Sequence, residues 1–263
     1  TSLHSFEQGY KKVSYDYDLV SGNVNHVYYQ DDDVDQFTHN YLYDADNRLE
    51  DVRTSVDQIH WTKDAHYQYY LHGPLHRMEL GDQMVQGLDY AYTLHGWLKG
   101  VNSNSMVAER DIGQDGHTSG YNQAVAQDVF GFSLHYYEGD FTAINGDKTS
   151  GAGTYFLMNP NGSSFAGSTR DLYNGNIARM VTALDKLQDT VIGKTYKYDQ
   201  LNCISESHTF NNFSLYSNSW SSGASSNTNY KTSYTYDANG NIKTLERYGS
   251  DGNVMDALTY HYT

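Results

Sequence analysis

The chain has 263 residues, enough to bury the core of one large domain or two small ones. Its 32 acidic and 17 basic residues give a formal net charge of -15, and no short stretch is basic, so neither a nucleic-acid-binding surface nor an anionic-membrane surface is predicted. The single cysteine excludes an internal disulfide, and no apolar run is long enough for a transmembrane helix.

Tyrosine pairs two residues apart recur along the first hundred residues. The second tyrosine of each pair is Tyr17, Tyr43, Tyr69 or Tyr92, at intervals of 26, 26 and 23 residues. Residues two apart on a strand face the same side, so each pair predicts a strand. We expect these tyrosines to lie in strands with mostly buried rings.

Each pair is followed by residues that favour a turn. In residues 41–49, "YLYDADNRL", Asp44, Asp46 and Asn47 tolerate left-handed backbone and bond their own main chain. Apolar residues then resume the strand pattern. Each unit is therefore predicted to be a strand, a tight turn, a second strand and a wider turn.

The pattern weakens over residues 103–171. Residues 121–129 are the best helix candidate in the chain, whereas "FGFSLHYY" after it alternates like a strand. Residues 145–156 and 159–170 have the glycine and serine content of loops. We expect an irregular insertion within the same sheet.

The repeats return near the C-terminus, where Tyr198, Tyr236 and Tyr262 close further pairs. A Ser/Asn-rich loop, residues 216–230, lengthens one of these units. The predicted fold is all-β: stacked antiparallel β-hairpins in a single array over residues 1–263. This array has regular repeats in 1–102, the irregular insertion in 103–171 and hairpin repeats in 172–263. Because the pattern is cut at the end of the sequence, we expect a piece of a longer polypeptide.

Two groups of side chains are candidate metal ligands. Asp31, Asp32, Asp33 and Asp35 could hold Ca²⁺, although a solvated loop between strands is the simpler explanation. His60, His66, His72 and His76 lack any zinc-binding framework such as H-E-x-x-H. We interpret both groups as strand and turn residues and predict no metal.

Catalytic motifs are also lacking. "GSSFAG" at residues 162–167 has Ala166 where the nucleophile elbow G-x-S-x-G needs its second glycine. Cys203 is interpreted as a small, half-buried strand residue. The sequence therefore predicts no catalytic, cofactor-binding or metal-binding residue and no enzyme.

Three tryptophans, Trp61, Trp97 and Trp220, could form a sugar-binding platform, although packing along the strands is the simpler explanation. Trp220 lies in the Ser/Asn-rich loop, so it is the one expected to contact a ligand.

The motif Tyr-x-Tyr-Asp-x-x-Gly/Asn-x-Leu/Ile resembles the RHS or YD repeat. It stands in residues 41–49, 196–204 and 234–242, and residues 88–102 and 172–180 also look like segments of long bacterial RHS proteins. Two units depart from the motif, with Tyr70 and Thr93 in place of aspartate. The self-cleaving aspartyl site of some members is not visible, so no autoproteolytic residue is assigned.

The resemblance implies a spiralling sheet or hollow shell, related to toxin-complex shells and to the barrels of animal teneurins. It implies a non-enzymatic wall segment that encloses or presents a C-terminal toxin or effector on a secreted or surface bacterial protein. The expected partners are the remainder of its own longer chain and, as an alternative, a cell-surface glycan or receptor. Two alternatives stay open: an adhesion or glycan-binding module, and a polymerising surface fibre.

Overall fold

The computed structural model describes residues 2–5, 9–118, 120–144, 155–156, 170–186, 191–211, 213–220 and 228–262. Most of the two predicted loops at 145–156 and 159–170, and all of "GSSFAG", lie outside these residues. No helix in the described part is long and apolar enough to cross a membrane.

The structure is built almost entirely from antiparallel strands, which confirms the predicted all-β fold of stacked hairpins. Sixteen of the eighteen described strands follow one another in chain order in one sheet, and β14 and β15 form a separate two-stranded ribbon. The strands are β1 (Ser2–Ser5), β2 (Gly9–Tyr17), β3 (Val24–Tyr29), β4 (Phe37–Tyr43), β5 (Leu49–Ser55), β6 (Thr62–Tyr69), β7 (Leu75–Leu80), β8 (Gln86–Tyr92), β9 (Leu98–Val101), β10 (Phe130–His135), β11 (Arg179–Leu184), β12 (Val191–Tyr198), β13 (Ile204–Phe210), β14 (Phe213–Ser214), β15 (Ser219–Trp220), β16 (Thr232–Tyr236), β17 (Ile242–Tyr248) and β18 (Val254–Thr259).

Except for Tyr262, the second tyrosine of each pair is the last residue of its strand, and the residue after it, an aspartate in all but two of these units, closes the turn. After Tyr43, the Asp44 N–H donates to the Arg48 carbonyl at 2.8 Å, and Asn47 has the left-handed φ of 59° that this turn requires. The Asp44 Oδ1 also accepts from the N–H groups of Asp46 at 2.9 Å and Arg48 at 2.8 Å. Asp199 and Asp237 close their turns in the same way. The aspartate of the motif is therefore a turn-closing residue.

A β-bulge follows each of these turns. Tyr43 pairs with Leu49 while Leu42 pairs with Asp51, so Glu50 has no opposing residue. The same offset leaves one extra residue after the other turns: Asn25, His76, Lys99, Ser205, Lys243 and Met255. A bulge re-aims the side chain of its extra residue, which becomes important at Lys99.

The chain divides into two compact units. The first unit comprises residues 1–89 and 115–127, and its described buried apolar residues are Ala65 and Val125. The second comprises residues 90–114 and 128–263, with an apolar core of Val181, Ala183, Val191, Phe210 and Trp220.

The predicted helix over residues 121–129 is wrong. The segment forms turns, in which the Val125 N–H donates to the Asn122 carbonyl and the Ala126 N–H donates to Met84. Forming the first turn of so short a helix is costly, and these contacts offer the backbone other partners. The helix within the described residues is instead a single 3₁₀ turn, Ala108–Arg110.

Candidate functional site

The tyrosine hydroxyls join successive hairpins. In five of the seven pairs, the hydroxyl of the second tyrosine donates to a backbone carbonyl just after the preceding turn. In the first unit, Tyr43 donates to Val24 at 2.9 Å and Tyr69 to Leu49 at 2.7 Å. Equivalent bonds in the second unit are Tyr198 to Ile177, Tyr236 to Ile204 and Tyr262 to Ile242. We call this set the tyrosine ladder.

Five of the seven second tyrosines are largely buried, as expected, and two are not. None of the seven second tyrosines is fully buried; Tyr17 and Tyr262 are 52% and 57% exposed, and Tyr262 lies beyond the last strand. A hydroxyl that must reach a carbonyl at the sheet surface keeps part of the ring near water, which explains why none of these side chains is fully buried.

The two groups of candidate metal ligands named from the sequence do not converge. Asp31 accepts from Gln58, and Asp35 pairs with Lys11. His60 and His66 bond to Asp57 and Asp51, while His72 and His76 lie against the Tyr70 ring. Among the residues that the structure describes, no three His, Cys, Asp or Glu side chains are grouped to hold a metal.

Trp220 is buried, which does not fit the expectation that it is displayed to a ligand on a loop. Its side chain is 3% exposed and packs edge-on against Phe210 and Phe213, with ring centroids 6.3 and 5.0 Å away. The loop prediction failed because β15 carries Trp220 into the core of the second unit. Residues 221–227 of that loop lie outside the described residues.

A buried polar cluster in the second unit is the strongest candidate site. We call it the Lys99 cluster: Lys99 on the β9 bulge, Ser133 and His135 on β10, and Asp140 in the turn after β10. Each of these residues is at most 5% exposed. Because Lys99 is the extra residue of its bulge, its side chain reaches the face that carries Ser133 and His135.

One line of hydrogen bonds runs through the Lys99 cluster. The Lys99 Nζ lies 2.7 Å from Asp140 Oδ1 and 2.9 Å from His135 Nδ1. The other ring nitrogen, Nε2, lies 2.8 Å from Ser133 Oγ. Asp140 Oδ2 accepts from the Tyr136 N–H at 2.8 Å. A lysine ammonium only donates, so His135 accepts at Nδ1 and carries its proton on Nε2.

Burial sets the protonation of these bases. Desolvation lowers the pKa of Lys99 to about 8, although Asp140 opposes the shift. Burial, with the nearby positive charges of Lys99 and Arg179, holds the pKa of His135 well below its usual value, so the ring is neutral. A neutral base thus faces a buried amine that deprotonates easily.

Sequence reasoning missed the Lys99 cluster for a specific reason. In Phe130–His135, the alternation suggests that the phenylalanines face the core, but Gly131, Ser133 and His135 are the buried set and Phe130 is exposed. In addition, a lysine in a strand is ordinarily predicted to be exposed to solvent. The signal that could have indicated the cluster is the position of Lys99, directly after a repeat turn.

A second buried polar cluster lies in the first unit around Arg77. Its guanidinium donates to Asp89, to Asp115 Oδ1 at 2.7 Å and to Glu79 Oε1 at 3.0 Å. Arg77, Asp89 and Asp115 are each at most 3% exposed. Gly87 belongs to this arrangement because a Cβ there would collide with the Asp115 carboxylate and the Arg77 guanidinium. Because the charged side chains of this cluster are engaged in ion pairs with one another, we interpret the cluster as structural.

Comparison with known proteins identifies structures that resemble this chain but no relative by sequence. The sequence matches no known protein family, and no curated protein matches it. A crystal structure of TcdB2-TccC3-Cdc42 matches 96% of this chain at 14% identity with a TM-score of 0.55, and the match spans 10% of that chain. A Photorhabdus luminescens Tc holotoxin pore structure, carrying the mutation TccC3-D651A, matches at 11% identity, a TM-score of 0.45 and 11% of its own length.

The chain thus spans about a tenth of the length of the structures that it matches. At this identity the likeness to the TcdB2-TccC3-Cdc42 structure shows a shared fold. With its tyrosine pairs, aspartate-closed turns and hairpins in chain order, the chain has the repeat motif and the fold of an RHS/YD-repeat protein.

Proposed function

We propose that this chain is a structural wall segment of an RHS-repeat shell, which encloses or presents a C-terminal toxin or effector. The observation that carries the proposal is the tyrosine ladder. Successive hairpins are joined by backbone pairing, and the five hydroxyl bonds of the tyrosine ladder add a second connection, as a continuous wall requires. The fold shared with the TcdB2-TccC3-Cdc42 structure supports it.

The principal partner in this proposal is the remainder of its own longer chain. Among the described strands, β18 pairs only with β17, and its Val254, Met255 and Leu258 are 54%, 60% and 42% exposed. An apolar edge strand of this kind is suited to pairing with a further strand. The same proposal places the chain on a secreted or cell-surface bacterial protein. It also assigns no enzymatic activity to the wall itself.

Imaging of the parent protein tests the wall directly. Negative-stain electron microscopy should show a closed, hollow particle with density inside it. Limited proteolysis of the same sample should leave the C-terminal segment intact until the particle is opened with denaturant. An open rod, or immediate digestion of the C-terminal segment, would contradict the proposal.

The exposed edge of β18 also favours a second candidate, the polymerising fibre. Size-exclusion chromatography of the isolated chain over a range of concentrations separates the two. A fibre subunit should form species that grow with concentration. A variant with Met255→Lys should reduce this growth, whereas Leu19→Lys, at an exposed turn position, should not.

A further inference from the structure

The Lys99 cluster combines three features that a buried ion pair does not need. An amine and a carboxylate are held at 2.7 Å, a neutral base contacts the amine, and a backbone N–H contacts the carboxyl oxygen that does not face the amine. All lie away from water, with Lys99 and His135 each 1% exposed. An enzyme acting on an outside substrate needs access, whereas a reaction between two side chains of one chain does not.

We propose that Lys99 and Asp140 form an intramolecular amide bond between the side-chain Nζ and Cγ. The bond would join strand β9 to the turn after β10, across 41 positions of the sequence. Ion pairing in a buried site carries a desolvation cost for both charges, and amide formation removes both.

The reaction balances without any added reagent. Lys99 first passes one proton to Asp140 Oδ1 along their hydrogen bond, which gives a neutral amine and a neutral acid. The Nζ lone pair then attacks Cγ, and the new C–N bond forms as Nζ gives a second proton to His135 Nδ1. His135 returns that proton to the departing Oδ1–H. The C–O bond breaks and one water molecule leaves.

The remaining contacts fit the transition state of this reaction. Negative charge develops on Asp140 Oδ2 during the attack, and the Tyr136 N–H, 2.8 Å away, stabilises it there. Ser133 Oγ, 2.8 Å from Nε2, fixes the ring of His135 with Nδ1 toward the amine. Because the pKa of Lys99 is depressed, its ammonium gives up the first proton to Asp140 more easily. The closeness of amine and acid replaces a bimolecular encounter.

Intact mass spectrometry of the purified chain, incubated near pH 8, tests the proposal. The expected mass is that of the sequence less one water molecule. After trypsin digestion, residues 78–110 should be recovered joined to residues 111–148, because an acylated Lys99 resists cleavage. The full mass, with residues 78–99, 100–110 and 111–148 as separate peptides, would overturn the proposal.

Three variants make the assignment specific. Lys99→Met and Asp140→Ala should both have the full mass of their sequences. Asp140→Asn should lose one ammonia molecule and give the same joined peptide, since an amide nitrogen replaces the leaving oxygen. Loss of one water from the Lys99→Met chain would assign the dehydration to another site and overturn the proposal.

His135→Gln separates a catalytic role from a structural one. Glutamine accepts a hydrogen bond from Lys99 but cannot take up its proton, so the variant should form the joined peptide about a hundredfold more slowly. Thermal unfolding of the variant checks that its fold is retained. An unchanged rate in a folded variant would refute the role of His135 as the base.

Discussion

The tyrosine ladder predicts that a single hydroxyl contributes measurably to stability. In Tyr69→Phe the ring stays, including its contact with Arg48, whose Cζ lies 4.5 Å from the ring centroid. What disappears is the 2.7 Å hydrogen bond to the Leu49 carbonyl. A hydrogen bond of this kind contributes about 1 kcal/mol net, so the free energy of unfolding should fall by about that amount. For a unit of this size, the loss corresponds to about 4 °C in the unfolding midpoint.

The matched control is Tyr67→Phe on the same strand. Tyr67 is also half-buried, but its hydroxyl makes no hydrogen bond to any residue that the structure describes. Its removal should change stability by less than roughly 0.5 kcal/mol. Both variants are compared with the parent chain by urea denaturation and by calorimetry. If the two substitutions have equal effects, the hydroxyl bond is not what distinguishes the second tyrosine, and the ladder reasoning is refuted.

Three further perturbations have defined outcomes. Arg77→Met leaves the buried carboxylates of Asp89 and Asp115 without their cation. It should lower the free energy of unfolding, measured by urea denaturation, by about 3–5 kcal/mol, and Arg77→Lys should lower it less. Trp220→Ala should cost about 3–5 kcal/mol by the same assay because it empties a core position, and equal stability would contradict the burial of its ring. Below about pH 6.5 the unfolded chain takes up a proton at His135 that the folded chain resists, so stability should fall as the pH drops from 6.5 toward 5. His135→Gln should flatten that dependence, and an equal slope in the variant would show that His135 is not its source.

Local features of the fold were predictable from the sequence because each repeat is specified by a short segment of neighbouring residues. A tyrosine pair, an aspartate and a left-handed Asn or Gly determine one turn, and Asn47, Asn202 and Gly240 all have the positive φ that the turn needs. The order of strands followed because consecutive hairpins pair with their neighbours. The helix over residues 121–129 failed because its backbone groups found partners such as Met84, far away in the sequence.

The Lys99 cluster could not be predicted by the same means. His135 and Asp140 lie 36 and 41 positions from Lys99, with no motif between them. Their meeting depends on a bulge that turns one lysine inward, and on which face of β10 is covered. Six other bulges have the same backbone offset but form no such cluster. The side chains that come from outside the repeat therefore determine whether a buried cluster forms.

The single-file strand order also has a mechanical consequence. The fourteen inner strands of the sheet are each held by hydrogen bonds to the strands on either side, and the edge strands β1 and β18 to one neighbour only. Tension applied at the end of β18 therefore loads the β17–β18 bonds one pair at a time, as in opening a zipper, instead of shearing a whole strand at once. Resistance to such peeling is low per step, and the sheet would yield hairpin by hairpin at modest force. A sheet with this strand order would therefore unravel more readily from an uncovered edge than from one paired with a further strand.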